Sequence, residues 1–199
     1  MNFLAHLYLA ATDKEIIIGN FIADTIRGNK FHHFSEKIQF GVRMHRAIDV
    51  FTDEHPIFRQ SKRRLDPKYR LYKGVIIDII YDHFLAKNWE QYSSTPLNLF
   101  SQEVYALLHE NFDILPDRAK HLLPYMSDQD WLYNYRTTDA ITSVLHNMNV
   151  RTKGLSKMDE AIVDLTENYT IFEQDFTAFF EELRIFSTQY LENYDRKNT

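Results

Sequence analysis

The sequence contains no cysteine, which excludes disulfides and thiolate metal ligands and makes a reducing compartment the natural setting. Glycine and proline number only five each, so long helices are favoured over many short strands and tight turns. No apolar run approaches the roughly 20 residues of a membrane span. The start, MNFLAHLYLA, lacks the basic leader of a signal peptide. We therefore expect a cytoplasmic protein that has no membrane contact.

Positive charge is also scarce, because 23 basic residues face 28 acidic ones and the formal net charge is −5. This balance argues against general affinity for nucleic acid. With 199 residues, 44% of them apolar and 26% charged, the chain has the composition of an ordinary globular protein. We expect a single domain that covers residues 1–199.

Hydrophobic periodicity predicts helix along almost the whole chain. Residues 56–73 are expected to form loops with a short helix, and residues 114–127, which contain two prolines, are expected to be irregular. Apolar side chains of the last helix recur at steps of three and four, which is typical of one core-facing stripe. The fold class is therefore all-α, a compact helical bundle. The predicted helices cover residues 2–11, 13–27, 35–54, 74–92, 97–113, 128–150 and 157–194.

The stretch GVIIDIIYDHFLA, residues 74–86, places three ionisable side chains in an apolar helix. Asp78 and Asp82 lie about 40° apart on one face, one turn from each other, and His83 lies about 100° from Asp82. An unpaired buried carboxylate is costly, so the two aspartates need protonation, a basic partner or a metal cation. Alternatively, the two aspartates cap loops or pair with an arginine of another helix.

Three more apolar segments carry polar side chains on faces that the pattern predicts to be buried. HRAID places His45 and Asp49 at i and i+4, and GNFIADTIRGN places Asp24 and Arg27 on one side of the second helix. His6 lies among leucines near the start. A fold gains no stability from such groups unless they meet, so we expect them to converge.

Together these residues offer imidazole and carboxylate ligands, a set that suits Mn²⁺, Fe²⁺, Mg²⁺ or Zn²⁺. A divalent cation lowers the pKa of water and neutralises phosphate oxygens, so hydrolysis is the chemistry that such a site favours. Arg27 or Arg46 would hold a phosphate. His83 or His6 would move the proton on the leaving oxygen.

A basic segment, RQSKRRLDPKYRLYK, follows the third predicted helix. It contains a single acid, Asp66, in a protein whose total charge is negative. It is either a solvated connection or a docking surface for an acidic partner. Its cations are Arg59, Lys62, Arg63, Arg64, Lys68, Arg70 and Lys73.

Taken together, the segments MNFLAHLYLA, GNFIADTIRGN, GVRMHRAIDVFTD, DIIYDHFLAKNW and DWLYNYRTTDAITSVLHNMNVR resemble the acyl carrier protein phosphodiesterase family over almost the full length. The resemblance implies a helical fold distantly related to HD-type phosphohydrolases, and an Mn²⁺-supported reaction. In that reaction 4′-phosphopantetheine is hydrolysed from a serine of holo-acyl carrier protein. The carrier protein is strongly acidic, which fits the basic segment.

The HD signature is an adjacent His-Asp pair, whereas here the order is reversed at Asp82-His83, and three residues separate His45 from Asp49. Ligands therefore cannot be carried over from HD enzymes. At the positions that match the family, we expect Asp24, His45, Asp78 and Asp82 nearest the metal, with His6, Asp49 and His83 close by. Two alternatives stay open: a phosphohydrolase of nucleotides or other small phosphoesters, and a non-enzymatic helical interaction protein.

Overall fold

The structure, a computed structural model, describes residues 2–10 and 13–198, with side chains up to residue 196. These residues form helices joined by short turns and 3₁₀ segments, and no strand occurs among them. Eleven α-helices are described: α1 Phe3–Leu9, α2 Lys14–Ile22, α3 Glu36–Glu54, α4 Pro56–Arg64, α5 Lys73–Lys87, α6 Leu97–Glu110, α7 Asp117–Asp128, α8 Trp131–Asn134, α9 Thr138–Arg151, α10 Ala161–Glu167 and α11 Tyr169–Asn198.

The all-α prediction is confirmed, and α-helix covers most of each of the seven predicted ranges. Residue 11, the last of the first predicted helix, lies outside the described residues. The prediction that residues 114–127 are irregular is wrong, because α7 covers most of them. Pro116 precedes this helix, where no N–H is needed. Pro124 lies inside it, between the buried side chains of Leu123 and Met126.

Two predicted helices are divided in the structure. Range 128–150 is split between α8 and α9, and the Thr137 hydroxyl accepts a hydrogen bond from the Ala140 N–H to cap the second of them. Range 157–194 is split at Asn168, between α10 and α11. The apolar stripe continues across both breaks, so periodicity alone could not reveal them.

Helix α11 forms the central wall of the hydrophobic core. Phe172, Phe176, Phe179 and Leu183 are fully buried, which confirms the predicted core-facing stripe. The helix runs antiparallel to α3, since Phe186 stacks on Phe51 while residues further along α11 reach the start of α3. The buried apolar side chains of the described helices form one connected cluster. None of the helices in the described ranges is long and apolar enough to cross a membrane.

Helices α2 and α3 run parallel and pack unusually closely. Lys37 donates to Asp13 at 2.8 Å near the helix starts, and His45 Nε2 lies 3.3 Å from Asp24 Oδ1 just beyond the end of α2. Between these contacts, the backbones meet at Gly19 and Gly41, where a β-carbon on either residue would overlap the other helix. The two glycines therefore fix the distance at which Asp24 meets α3.

Asp82 of α5 caps α1 from a position 78 residues away from Leu4 in the sequence. Its carboxylate accepts hydrogen bonds from the backbone N–H groups of Leu4, at 2.7 Å, and Ala5, at 3.3 Å. These donors are among the N–H groups that the first turn of a helix leaves unpaired. Because Asp82 is fully buried, burial raises its pKa to about 7. Asp82 therefore acts as a cap, as one of the alternatives expected, but it caps a helix and not a loop.

The glycine contact predicts a strong dependence of stability on one methyl group. A β-carbon on Gly19 would lie 2.8 Å from the Gly41 Cα and closer still to the Ile38 carbonyl oxygen. Gly19→Ala should therefore lower the free energy of unfolding by about 1–3 kcal/mol. Gly74→Ala is the control, since its β-carbon meets nothing within 4 Å and should change stability by between zero and about +1 kcal/mol. Urea unfolding measures both, and equal values would refute the packing argument.

The buried cap predicts a pH-dependent effect of Asp82→Asn. The raised pKa of Asp82 means that the folded state binds a proton more tightly than the unfolded chain, so this contribution to stability is present at acidic pH and is lost as pH rises through about 7. Asparagine cannot ionise and has only one acceptor oxygen for the two donors. The variant should therefore be less stable than wild type at pH 5, and the difference should shift in its favour by roughly 2–3 kcal/mol by pH 8.

Urea unfolding at four pH values between 5 and 8 tests this expectation. Asp139→Asn, an exposed change in the first turn of α9, is the control and should show no such trend. A difference between Asp82→Asn and wild type that stays constant over this pH range would contradict the account of the cap.

Candidate metal centre

Two helices bring two histidines and an aspartate into contact. The imidazoles of His6, on α1, and His45, on α3, stack with ring centroids 3.7 Å apart and an interplanar angle of 14°. Each Nε2 faces one oxygen of Asp49, His6 at 3.1 Å and His45 at 3.3 Å. Both histidines are buried, and the ligand atoms of the three residues all lie within 4.8 Å of one another.

Asp24 adds a second carboxylate on the solvent side of His45. It lies in the 3₁₀ segment Ala23–Thr25 after α2, and its side chain is 68% exposed. Arg46 fixes the chain that follows, because its guanidinium donates to the carbonyl oxygens of Ile26, at 3.4 Å, and Gly28, at 2.6 Å, and stacks over Phe31. Arg46 therefore helps to keep the Asp24 segment beside α3.

The protonation of the two imidazoles diverges, because they are stacked too closely for both to carry a charge. Burial and the charge of His45 lower the pKa of His6 to about 4. Burial opposes charge on His45 as well, but its hydrogen bonds with Asp24 and Asp49 outweigh burial and raise its pKa to about 9. The same hydrogen bonds hold the pKa values of both aspartates below their usual range, for Asp49 against the opposing effect of burial. Near neutral pH the cluster holds two carboxylates, one imidazolium and one neutral imidazole.

These residues fit a divalent cation. The donor set of two imidazoles and carboxylate oxygens suits first-row divalent metals. The Nε2 atoms of His6 and His45 face the two oxygens of the same carboxylate at 3.1 and 3.3 Å, so these ligand atoms already converge. A cation would stabilise the close carboxylates and the imidazole stack together, replacing the proton that His45 otherwise carries.

The two predicted metal ligands of α5, Asp78 and Asp82, are not members of the group formed by His6, His45 and Asp49, and their surroundings differ. Asp82 is occupied by the backbone of α1, as described above. Asp78 is half-buried, and burial raises its pKa, with smaller upward contributions from the nearby carboxylates of Asp49 and Asp53. Asp78 is therefore within the electrostatic influence of Asp49, whereas Asp82 serves the fold.

His83, predicted close to the metal, is held elsewhere in the core. Its Nδ1 lies 2.8 Å from the Tyr135 carbonyl oxygen and its Nε2 lies 2.8 Å from the Tyr169 hydroxyl, so both ring nitrogens are engaged. Burial lowers its pKa. Arg27, predicted to bind phosphate, is exposed and follows Asp24 by three residues.

Most cations of the basic segment already have partners within the protein. Arg64 donates to Asp175 at 2.9 Å, and Lys68 pairs with Glu160 at 2.8 Å. Arg59 donates to the Asp53 carbonyl oxygen and Lys62 pairs with the Asp53 carboxylate at 3.5 Å. Arg63 and Arg70 are exposed.

Sequence reasoning did not single out Asp53, whose charge raises the pKa of Asp78. It follows Asp49 by four residues on α3, so the helical period that linked His45 to Asp49 could have extended the same face by one more turn. The sequence-based prediction also placed His6 and Asp49 close to the metal ligands but not among them. In the structure both residues form one group with His45.

The sequence is similar to proteins of one known family along almost its whole length. The family model described as acyl carrier protein phosphodiesterase matches residues 1–183. The chain is 32% identical to an acyl carrier protein phosphodiesterase of Pectobacterium atrosepticum over 96% of its own length and 100% of the relative's. The corresponding protein of Photorhabdus laumondii is 33% identical over 98% and 97% of the two chains, and that of Salmonella agona is 34% identical over 92% and 95%. No solved structure matches the chain.

The family match covers α1 to α5, which carry His6, Asp24, His45, Asp49 and Asp78, and extends well into α11. The relatives are covered along almost their entire lengths, so the match includes the whole helical core and not one shared segment. The chain is thus an enzyme of the phosphodiesterase class, and it belongs to the acyl carrier protein phosphodiesterase family.

Proposed function

We propose that the protein hydrolyses the phosphodiester between 4′-phosphopantetheine and a serine of holo-acyl carrier protein, releasing apo-carrier protein. The names of its relatives support the substrate. The cluster of His6, His45 and Asp49, with Asp24 beside it, supports the chemistry, because it collects the ligands for a hydrolytic metal in one partly open site.

The cation that we propose is Mn²⁺, with Mg²⁺, Fe²⁺ or Zn²⁺ as alternatives, held by His6, His45, Asp49 and Asp24. When bound, it would lower the pKa of water and neutralise charge on the phosphate oxygens. The mixed nitrogen and oxygen donors fit Mn²⁺, Fe²⁺ and Zn²⁺ better than Mg²⁺, which prefers oxygen ligands.

The remaining residues of the site receive roles from their positions. Arg27 is exposed beside Asp24, where its guanidinium would bind the phosphodiester. Arg46 is occupied by two backbone carbonyls, so its role is to position the Asp24 segment. Asp78 of α5, whose pKa burial and the charge of Asp49 raise, is our candidate for proton transfer, in place of His83, whose ring nitrogens are both engaged in the core.

The basic segment is our proposed docking surface for the acidic carrier protein. The cations available for docking are those that have no partner within the described part of the protein. Arg64 and Lys68 are committed to Asp175 and Glu160. Arg63 and Arg70 are exposed, and Leu71, which is 96% exposed, follows Arg70 directly. Arg70 has a φ of 50°, a strained conformation for a side chain other than glycine, and such strain clusters at binding sites.

Mass spectrometry of holo-acyl carrier protein, incubated with the enzyme and Mn²⁺, tests the function. Wild type should remove the whole phosphopantetheine group. His45→Ala and Asp49→Asn should each lower the rate at least a hundredfold, because each removes a ligand and leaves its partners unpaired. His109→Ala is the control and should leave the rate unchanged, since His109 is exposed and its imidazole lies 3.1 Å from the Ser127 hydroxyl at the surface. Carrier protein of unchanged mass with active wild type would refute this substrate.

The docking surface is tested by the double change Arg63→Glu and Arg70→Glu. Reversing two exposed charges should raise KM for holo-carrier protein by about tenfold or more and leave kcat nearly unchanged. Hydrolysis of bis(p-nitrophenyl) phosphate, which needs no protein contact, should not change. Arg151→Glu, an exposed change on α9, is the matched control. Equal effects on both substrates would contradict a docking role. An unchanged KM for the carrier protein would show that Arg63 and Arg70 do not belong to its docking surface.

A further inference from the structure

A second cavity lies outside the metal centre, between α1, α2, α6 and α11. Its volume is about 470 Å³, which is within the range of small-molecule sites. Tyr8 and Leu9 of α1 line it, yet Tyr8 points away from the histidine stack toward Trp89 and Phe180. None of the residues proposed to hold the metal lines this groove.

The walls of the groove are mainly apolar. Trp89 supports them from behind, in contact with Tyr8 on one side and Phe100 on the other, at centroid distances of 5.4 and 4.8 Å. Aliphatic side chains of all four helices complete the lining: Leu9, Ile17, Val104, Leu107 and Leu191. Such a surface favours a linear apolar group over a sugar or nucleotide.

The polar groups of the groove favour a negatively charged head group. The Ser187 hydroxyl is buried and has no hydrogen-bond partner among the described residues, although it lines the cavity. Arg184 lies three residues before it on the same face of α11. Lys14 lines the groove from α2, and no ion pair of Lys14 is found among the described residues. Glu103 is the one acid that lines the groove, and Arg184 also pairs with Glu181 at 3.2 Å on the same helix. Two cations and one acid therefore line the groove, and Lys14 is the cation for which no ion pair is found among the described residues.

We propose that this groove binds the anion of an unbranched fatty acid, with the chain along the apolar wall and the carboxylate near Ser187, Arg184 and Lys14. A buried hydroxyl without a partner carries a desolvation penalty that a carboxylate oxygen would remove. The cations would stabilise the carboxylate at the mouth. This site goes beyond the proposed hydrolysis and does not depend on it.

Isothermal titration calorimetry with dodecanoate, kept below its micellar concentration, tests the proposal. Dodecanoate should bind with a 1:1 stoichiometry, and hexanoate should bind at least about tenfold more weakly because it buries fewer methylene groups. Lys14→Gln and Ser187→Ala should each weaken dodecanoate binding by roughly fivefold. Lys14→Gln should leave the binding of neutral dodecanol unchanged.

Thr188→Trp provides the blocking variant, since Thr188 is exposed and lines the groove. It should abolish dodecanoate binding, whereas Gln189→Trp, the next residue and also exposed, should not. Equal thermal unfolding midpoints would show that Thr188→Trp and Gln189→Trp both fold. If either variant fails to fold, Lys14→Gln and the comparison of dodecanoate with hexanoate still test the proposal.

Three results would overturn the proposal: no saturable binding of dodecanoate by wild type, binding that survives Thr188→Trp, and equal losses of dodecanoate and dodecanol in Lys14→Gln. A change of oligomeric mass in Thr188→Trp, measured by light scattering, would instead identify the groove as a contact between copies of the chain. Hydrolysis of holo-carrier protein is assayed separately, so failure of the groove leaves the proposed function standing.

Discussion

The stacked pair of His6 and His45 is the contact on which the rest of the site depends. Two imidazoles at 3.7 Å cannot both be protonated in a buried environment, and Asp49 alone must face both of their Nε2 atoms. A protein gains little stability from such an arrangement, because buried ionic groups usually return no more than their desolvation costs. The arrangement is understandable if a cation is the partner that the four side chains share.

The surrounding fold positions this contact from three directions. Asp82 caps α1 through two backbone hydrogen bonds and so fixes the rotation of the helix that carries His6. The glycine contact between α2 and α3 sets the distance from Asp24 to His45. Arg46 holds the chain that follows Asp24. Each of these interactions involves residues next to the site and occupies none of the side chains proposed to hold the cation. Together they hold α1, α3 and the segment after α2 in a fixed relative geometry.

The sequence predicts the fold class and most of the helices because apolar residues recur with the helical period along the whole chain. It also predicts that His6, Asp24, His45 and Asp49 converge, since each lies in an apolar segment, but the predicted burial of Asp24 is wrong because its side chain is exposed on the short turn after α2. It could not separate the roles of Asp78 and Asp82, which occupy the same face of one helix. The difference arises from α1, whose free N–H groups meet only Asp82, and such a contact over 78 residues leaves no local signal. For the same reason the sequence could not predict the hydrogen bonds of His83 with Tyr135 and Tyr169, which are also distant in the chain.

The central claim is that a cation gathers His6, His45 and Asp49, and crystals grown with MnCl₂ test it most directly. Diffraction data measured on both sides of the manganese absorption edge should give one strong anomalous peak in contact with the Nε2 atoms of both histidines and an oxygen of Asp49. A peak bound by other residues, or crystals with ordered side chains at this site and no peak there, would contradict the account.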